Sequence, residues 1–223
     1  MLSVDIAVCI TQQAEADALL GRNPLALLIG AVLDRHVPSE LAYAAPVVIA
    51  RRLGEGLDVH RLAQYDPRQL ATIFKVRPAV HEFPALMARR VQELCHHLVA
   101  LHDGRAAAVW EGAGTGKELY SRLHALPGFG RQKTQIFVAL LGKQYGIRPD
   151  GWREAAGPYG EAGVHRSVAD VTDPHSLAKV HAARAEERRS ARTAQARRAA
   201  SLRAEERSEQ AHRTASRLGH RAT

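Results

Sequence analysis

Residues 126–131 read Leu-Pro-Gly-Phe-Gly-Arg and lie between two segments with helical apolar spacing, which predicts two helices joined by a tight hairpin. Gly128 and Gly130 lack a Cβ atom, so backbone N–H groups of the hairpin could approach a phosphate closely. Such contacts read no base, and we therefore expect the hairpin to bind nucleic acid independently of sequence. The second helix is predicted over 131–145.

The hairpin, together with an aspartate downstream of it, resembles the helix–hairpin–helix DNA glycosylases of the endonuclease III-like superfamily, the HhH-GPD family. In that family a lysine follows the Gly-Arg pair of the hairpin, and the aspartate comes eighteen positions after the lysine. Here Gln132 stands at the lysine position, and Asp150 falls at the aspartate position without a gap. The resemblance covers about residues 20–165 and implies an all-α fold of two helical lobes with a DNA-binding cleft between them.

The resemblance implies removal of a damaged or mispaired base from DNA, with Asp150 as the catalytic residue. Breaking an N-glycosidic bond builds positive charge on the sugar, which a carboxylate stabilises while it orients or deprotonates a water nucleophile. Trp152 and Tyr43 are candidates for contacts in the base pocket. The segment Pro149–Trp152 is also typical of a turn, so a structural role is the alternative for Asp150.

Gln132 cannot form the Schiff base that the lysine of the family forms with the sugar, which favours a monofunctional glycosylase of base excision repair. Lys133 lies about 100° further around the helix. The hairpin residues expected to contact DNA are Gly128, Phe129, Gly130, Arg131 and Lys133. The resemblance also implies a monovalent cation held by backbone carbonyls at the hairpin.

The apolar segment Pro24–Leu33 resembles the central helix of the family, which precedes a loop that enters the gap left by an extruded nucleotide. Pro38 predicts that this helix ends near His36. His36 then stands at the wedge position, where an imidazole could stack and form hydrogen bonds. The alternative is a surface histidine at a helix end.

Local signals predict three further helices before the hairpin. Ser39 is expected to cap a helix that runs to about Leu53, Asp66 begins another, and Pro84 opens a long third one. The inward stripe of the long helix consists of Met87, Val91, Leu94, Cys95 and Leu98. Its position on this stripe predicts that Cys95 is a buried structural thiol.

Cys9 and Cys95 are the only cysteines, which excludes a disulfide framework and the iron–sulfur cluster of endonuclease III. No set of side chains has metal-ligand spacing, so we expect no metal site built from side chains and no other cofactor. The segment Gly112–Lys117 is similar to a phosphate-binding loop, but Glu111 stands where that motif needs a glycine. This segment is predicted to be a mobile loop.

The net charge of +8 and the isoelectric point near 10.0 make a polyanion the expected partner. Together with the hairpin, this predicts binding of double-stranded DNA that contains a damaged base. A non-catalytic protein that binds DNA or damaged DNA through the hairpin and a basic tail is the competing hypothesis. No membrane segment or export signal is visible, so we expect the protein in the cytoplasm, associated with the nucleoid. We also expect it to be a monomer.

The basic tail covers residues 182–223, which carry 11 arginines against 5 glutamates, a net charge of +6. Leu202 and Leu218 are its only large apolar residues, too few for a core. We therefore divide the chain into a glycosylase-like domain, residues 1–181, and a tail that is either disordered or a solvated helix. The tail is expected either to bind DNA electrostatically or to be inert.

Overall fold

The computed structural model describes residues 6–219, with side chains through residue 202. Over this range the protein is mostly helical and contains no β-strand, which confirms the all-α prediction. The α-helices are α1 (Ala14–Arg22), α2 (Pro24–Leu33), α3 (Ser39–Leu53), α4 (Val59–Gln64), α5 (Pro67–Lys75), α6 (Pro84–His102), α7 (Gly116–His124), α8 (Arg131–Gln144), α9 (Trp152–Ala156) and α10 (Pro174–Gly219).

Helix α2 lies in the core, as its apolar sequence predicts. Every residue from Leu25 to Leu33 is buried, because α1, α3 and α6 pack against this helix. The Asn23 side chain accepts a hydrogen bond from the Ala26 N–H at 3.0 Å and caps the first turn. The loop that carries His36 follows directly after the C-terminal end of α2.

Helix α6 packs against both α4 and α5. The Asp66 carboxylate accepts hydrogen bonds from the N–H groups of Arg68 and Gln69 at 3.0 and 2.8 Å, so the predicted start of α5 is confirmed. The inward stripe of α6 is buried as predicted. Burial raises the pKa of the Cys95 thiol to about 12, which keeps this buried side chain protonated at neutral pH.

Helices α7, α8 and α9 form a second group, in which each packs against the other two. The C-terminal end of α8 is held by Lys143, whose ammonium pairs with the Asp170 carboxylate at 2.5 Å. The neighbouring Gln144 amide donates to backbone carbonyls of the loop around Asp170. These bonds hold the end of α8 that is opposite the hairpin.

The chain divides into one unit of residues 1–180 and another of residues 181–223, a boundary one residue away from the predicted one. In the second unit the chain is helical as far as Gly219, and the side chains from residue 186 to 202 are exposed. Within the described range, no single helix has both the length and the apolarity that crossing a membrane requires.

Candidate functional site

The hairpin between α7 and α8 exposes backbone donors. Gly128 adopts a φ of +84°, a left-handed conformation that side-chain-bearing residues rarely take. The turn is closed by the Phe129 N–H, which donates to the Leu126 carbonyl at 3.1 Å. Helix α8 begins without a side-chain cap, so the N–H groups of its first turn, from Arg131 onward, have no partner within the helix. Gly128 and Gly130 are themselves exposed.

Phe129 was predicted to contact DNA, and for its side chain this is wrong. The ring is only 3% exposed and packs edge-on against Phe137 of α8, with the ring centroids 5.5 Å apart. A turn with two glycines has few side chains of its own, so an aromatic ring in the core is what fastens it to α8. Phe129 positions the hairpin from beneath.

A cationic pocket of about 440 Å³ opens beside the hairpin glycines, and we call it the hairpin pocket. Three arginines line it: Arg35 from the loop after α2, and Arg89 and Arg90 from α6. Arg89 pairs with Glu93 at 3.3 Å, whereas the side chains of Arg35 and Arg90 make no hydrogen bond or ion pair with any residue that the structure describes. Sequence reasoning missed these arginines because they come from elements far from the hairpin in the chain.

The backbone of Asp150 is fixed against the start of α7. The Gly116 N–H donates to the Asp150 carbonyl at 2.6 Å, and Thr115 and Asp150 form an isolated parallel bridge. A Cβ at position 116 would lie 2.3 Å from the Gly151 carbonyl oxygen, so this approach requires glycine. The segment Gly112–Lys117, which was predicted to be a mobile loop, is anchored where it meets α7. There the Glu118 N–H donates to the Thr115 hydroxyl at 3.2 Å.

The side chain of Asp150 is exposed, and its carboxylate makes no hydrogen bond or ion pair with the residues described here. The turn that carries it is closed by the Trp152 N–H, which donates to the Pro149 carbonyl at 3.0 Å. Gly151, at a φ of +74°, supplies the left-handed position. The turn therefore forms from backbone atoms and Gly151, and it makes no use of the carboxylate.

Asp150 opens onto a pocket of about 520 Å³, which we call the Asp150 pocket. It brings together two cations and two carboxylates, together with an aromatic ring and an amide; these are Lys117, Arg131, Asp150, Glu154, Tyr120 and Gln135. Asp150 and Arg131 were predicted as site residues, whereas the other four members of this set were missed. Helical spacing was an available signal for Gln135, because it follows Arg131 by four positions on α8.

Trp152 and Tyr43 were predicted to contact the base, but neither lines the Asp150 pocket. Trp152 is 6% exposed and packs against Gly142 of α8, with the Arg153 guanidinium 4.6 Å from the ring centroid on one side. Tyr43 is 2% exposed and packs against Gly30 of α2. Both aromatic side chains lie in the core, and the aromatic residue of the pocket is Tyr120.

Gln132 and Lys133 point to different parts of the molecule. The exposed Gln132 amide donates to the Tyr159 hydroxyl at 2.8 Å. The Lys133 ammonium instead reaches the end of α2, where it donates to the carbonyls of Ala31 and Val32. The Lys133 ammonium is thus engaged inside the protein, and a DNA contact through the Lys133 backbone N–H stays a prediction.

The environment of Lys133 disfavours its charge. Burial lowers the pKa of the Lys133 ammonium to about 8; Asp34 opposes this shift, and Arg35 and Arg90 add to it. Two of the three arginines of the hairpin pocket, Arg35 and Arg90, are thus close enough to interact with this buried cation. The pocket lies in a region of concentrated positive charge, which is suited to an anionic ligand.

His36 lies in the loop between α2 and α3, with an exposed side chain and a φ of +62°. The residues around His36 are held by hydrogen bonds. The Ser39 hydroxyl donates to the Asp34 carboxylate at 3.0 Å, so Ser39 is not the cap of α3 that the sequence predicts. The buried His81 contacts the Arg35 carbonyl at 2.9 Å. The loop thus presents the His36 side chain to solvent from a fixed backbone.

Among the described residues, no group of histidine, cysteine, aspartate or glutamate side chains could hold a metal ion. The monovalent cation that the resemblance implies would use backbone carbonyls at the hairpin, and it stays a prediction. No family model, curated protein or solved structure matches this chain. The function is therefore inferred from the chemistry of the site.

Proposed function

We propose that the protein is a monofunctional DNA glycosylase with the two-lobed helix–hairpin–helix fold, which hydrolyses the N-glycosidic bond of a damaged or mispaired base. The observation that carries the proposal is the Asp150 carboxylate, which has no partner in the described part of the chain and opens onto a pocket next to the hairpin. Gly130 lines the hairpin pocket and Arg131 lines the Asp150 pocket, so the two pockets flank the start of α8.

The hairpin pocket is the site that would hold the DNA backbone. Backbone N–H groups at Gly128 and Gly130 suit phosphate oxygens, and Arg35 and Arg90 supply guanidinium groups with no competing carboxylate bonded to them. None of these groups reads a base, so the contact is independent of sequence. The natural partner in this proposal is double-stranded DNA that contains a damaged base.

Catalysis requires the damaged nucleotide to leave the helix, which costs a few kcal/mol. His36, on its fixed loop, would enter the gap, and the base would be received in the Asp150 pocket. As the bond between the base and the sugar C1′ breaks, its electron pair leaves with the base. Asp150 stabilises the positive charge on the sugar and takes a proton from the water that attacks C1′. Lys117 and Arg131 lie where they could stabilise the departing base.

Hydrolysis without strand cleavage follows from Gln132, which stands at the lysine position, and from its neighbour Lys133. Gln132 carries an amide that cannot act as a nucleophile, and the Lys133 ammonium is bonded to carbonyls of α2 and does not line the Asp150 pocket. Borohydride added during turnover is expected to trap no protein–DNA adduct, and strand breaks should need added alkali. A trapped adduct that disappears in Lys133→Ala would contradict the monofunctional assignment.

The proposal is tested by incubating the protein with a panel of duplexes, each with one lesion (uracil, hypoxanthine, an alkylated purine or an oxidised base), followed by alkali to reveal abasic sites. Excision of at least one lesion by the wild type, and its loss in Asp150→Asn, is the expected result. Binding to the duplexes with no excision of any lesion would instead support the non-catalytic DNA-binding alternative.

A further inference from the structure

The C-terminal end of α2 is completed by a residue from another helix. The Gly30 and Leu33 carbonyls accept from the N–H groups of Asp34 and Arg35 at 2.9 and 2.7 Å. The two carbonyls between them, of Ala31 and Val32, accept from the Lys133 ammonium instead. Lys133 thus supplies the donors that the loop does not provide for the last turn of α2.

The loop that begins at this point holds a costly conformation. A non-glycine residue at positive φ costs on the order of 1 kcal/mol or more, and it persists only where its surroundings fix it. His36 has such a conformation at a φ of +62°, and its exposed side chain lies between the anchored Arg35 carbonyl and α3. Its presentation therefore depends on the anchors around it.

We propose that Lys133 is a positioning residue that locks the loop of residues 34–37 to the hairpin helix α8, so that DNA held at the hairpin meets His36 at a fixed depth. This inference rests on the proposed function, since it assigns a use to the His36 loop in nucleotide extrusion. Lys133 is suited to this task because it lies in the first turn of α8, directly after the hairpin, and its side chain ends at α2. A displacement of the hairpin is thereby transmitted to the loop.

The test compares Lys133→Met with Lys143→Met in the full chain. Lys143 is the matched control, because it lies on the same helix and its half-buried ammonium pairs with Asp170 at 2.5 Å, at the end far from the loop. The probe is a duplex with a tetrahydrofuran abasic-site analogue and 2-aminopurine opposite it. Three quantities are measured: hydrogen exchange of residues 32–38 in the free protein, the Kd for the duplex, and the 2-aminopurine fluorescence at saturation.

Lys133→Met is expected to speed exchange of residues 32–38 by about tenfold, the effect of losing one to two hydrogen bonds. The equilibrium that exposes 2-aminopurine should fall about two- to thirtyfold, the range of couplings between packed elements, with a Kd close to wild type. Lys143→Met should change none of the three quantities. Unchanged exchange and fluorescence in Lys133→Met, or equal changes in both variants, would overturn the proposal.

Lys133→Arg covers the case in which the methionine variant does not fold, since a guanidinium can still donate to both carbonyls. It should retain the slow exchange of residues 32–38, and fast exchange in a folded Lys133→Arg would count against the inference. Failure of the proposed function is seen separately, as a wild type that binds the abasic analogue no better than intact duplex. Even then, hydrogen exchange in the free protein tests whether Lys133 holds the loop of residues 34–37 in place.

Discussion

The two pockets at the start of α8 differ in how their charges are arranged. The hairpin pocket has three arginines against one glutamate, whereas the Asp150 pocket places two cations beside two carboxylates. A pocket with mainly positive charge attracts the phosphates of a polyanion at any position along the strand. Mixed charge in a confined space can instead stabilise opposite charges that develop on two parts of a breaking bond. In our proposal the first pocket binds DNA and the second performs the chemistry.

The largest expected effect is on the chemical step in Asp150→Asn. Loss of about 3–5 kcal/mol of electrostatic stabilisation lowers the single-turnover rate roughly a hundredfold to several thousandfold. Affinity for lesion DNA should hold or rise, because one negative charge near phosphates is removed. Asp103→Asn is the matched control, since this exposed aspartate lies outside both pockets. Near-wild-type excision with an unchanged melting temperature would remove Asp150 from the mechanism.

The tail should contribute to binding only. Its net charge of +6 can neutralise several phosphates, and each released counterion contributes about −0.9 to the slope of log K against log salt. Deletion of residues 182–223 should therefore flatten the slope by a few units and leave the lesion preference intact. Replacing the 11 tail arginines by glutamine at full length should flatten the slope further, because the 5 glutamates then leave the tail with a net charge of −5. An unchanged slope would make the tail inert.

A smaller effect on binding is expected from Arg90→Gln. This variant removes one guanidinium from the hairpin pocket, so the salt slope should fall by about one and the excision rate at saturating enzyme should hold. The control is Arg68→Gln, because Arg68 is exposed on α5 and lines neither pocket. Equal effects of the two variants would show that the hairpin pocket has no special role in binding.

The smallest effect concerns Lys133, next to the hairpin pocket. Folding lowers the pKa of Lys133 from 10.5 to about 8, so between these values the unfolded chain binds more protons than the folded one. Stability of the wild type relative to Lys133→Met should therefore rise by about 1–2 kcal/mol between pH 8 and pH 10. Urea unfolding across this range measures the difference. A constant difference would mean that water reaches the ammonium.

Local signals in the sequence predicted what depends on neighbouring residues. Asp66 caps α5, the apolar α2 is buried, and Cys95 faces the core, since each follows from helix capping or periodicity. The chain could not show in the same way where side chains meet across elements. Phe129 and Lys133 were assigned to DNA because they stand in the hairpin, but packing against Phe137 and hydrogen bonds to α2 turn them inward.

The site itself was predictable only at its centre. The resemblance to the glycosylase family singles out Asp150, and the structure places it on an open pocket. The other members of that pocket come from three helices and the turn between α8 and α9. The arginines of the hairpin pocket are separated from Gly128 by about ninety and forty positions. No local pattern marks such an arrangement, because it arises from the packing of helices that are distant in sequence.

The central claim is that this protein hydrolyses an N-glycosidic bond through Asp150. The most direct measurement is excision in ¹⁸O-labelled water, with the released base and the abasic DNA analysed by mass spectrometry. The wild type is expected to release free base and to leave one ¹⁸O atom at the sugar C1′ of a strand that is intact before alkali, whereas Asp150→Asn should release no base and leave C1′ unlabelled. Saturating wild-type protein that releases no base from any lesion, or base release that persists in Asp150→Asn, would contradict it.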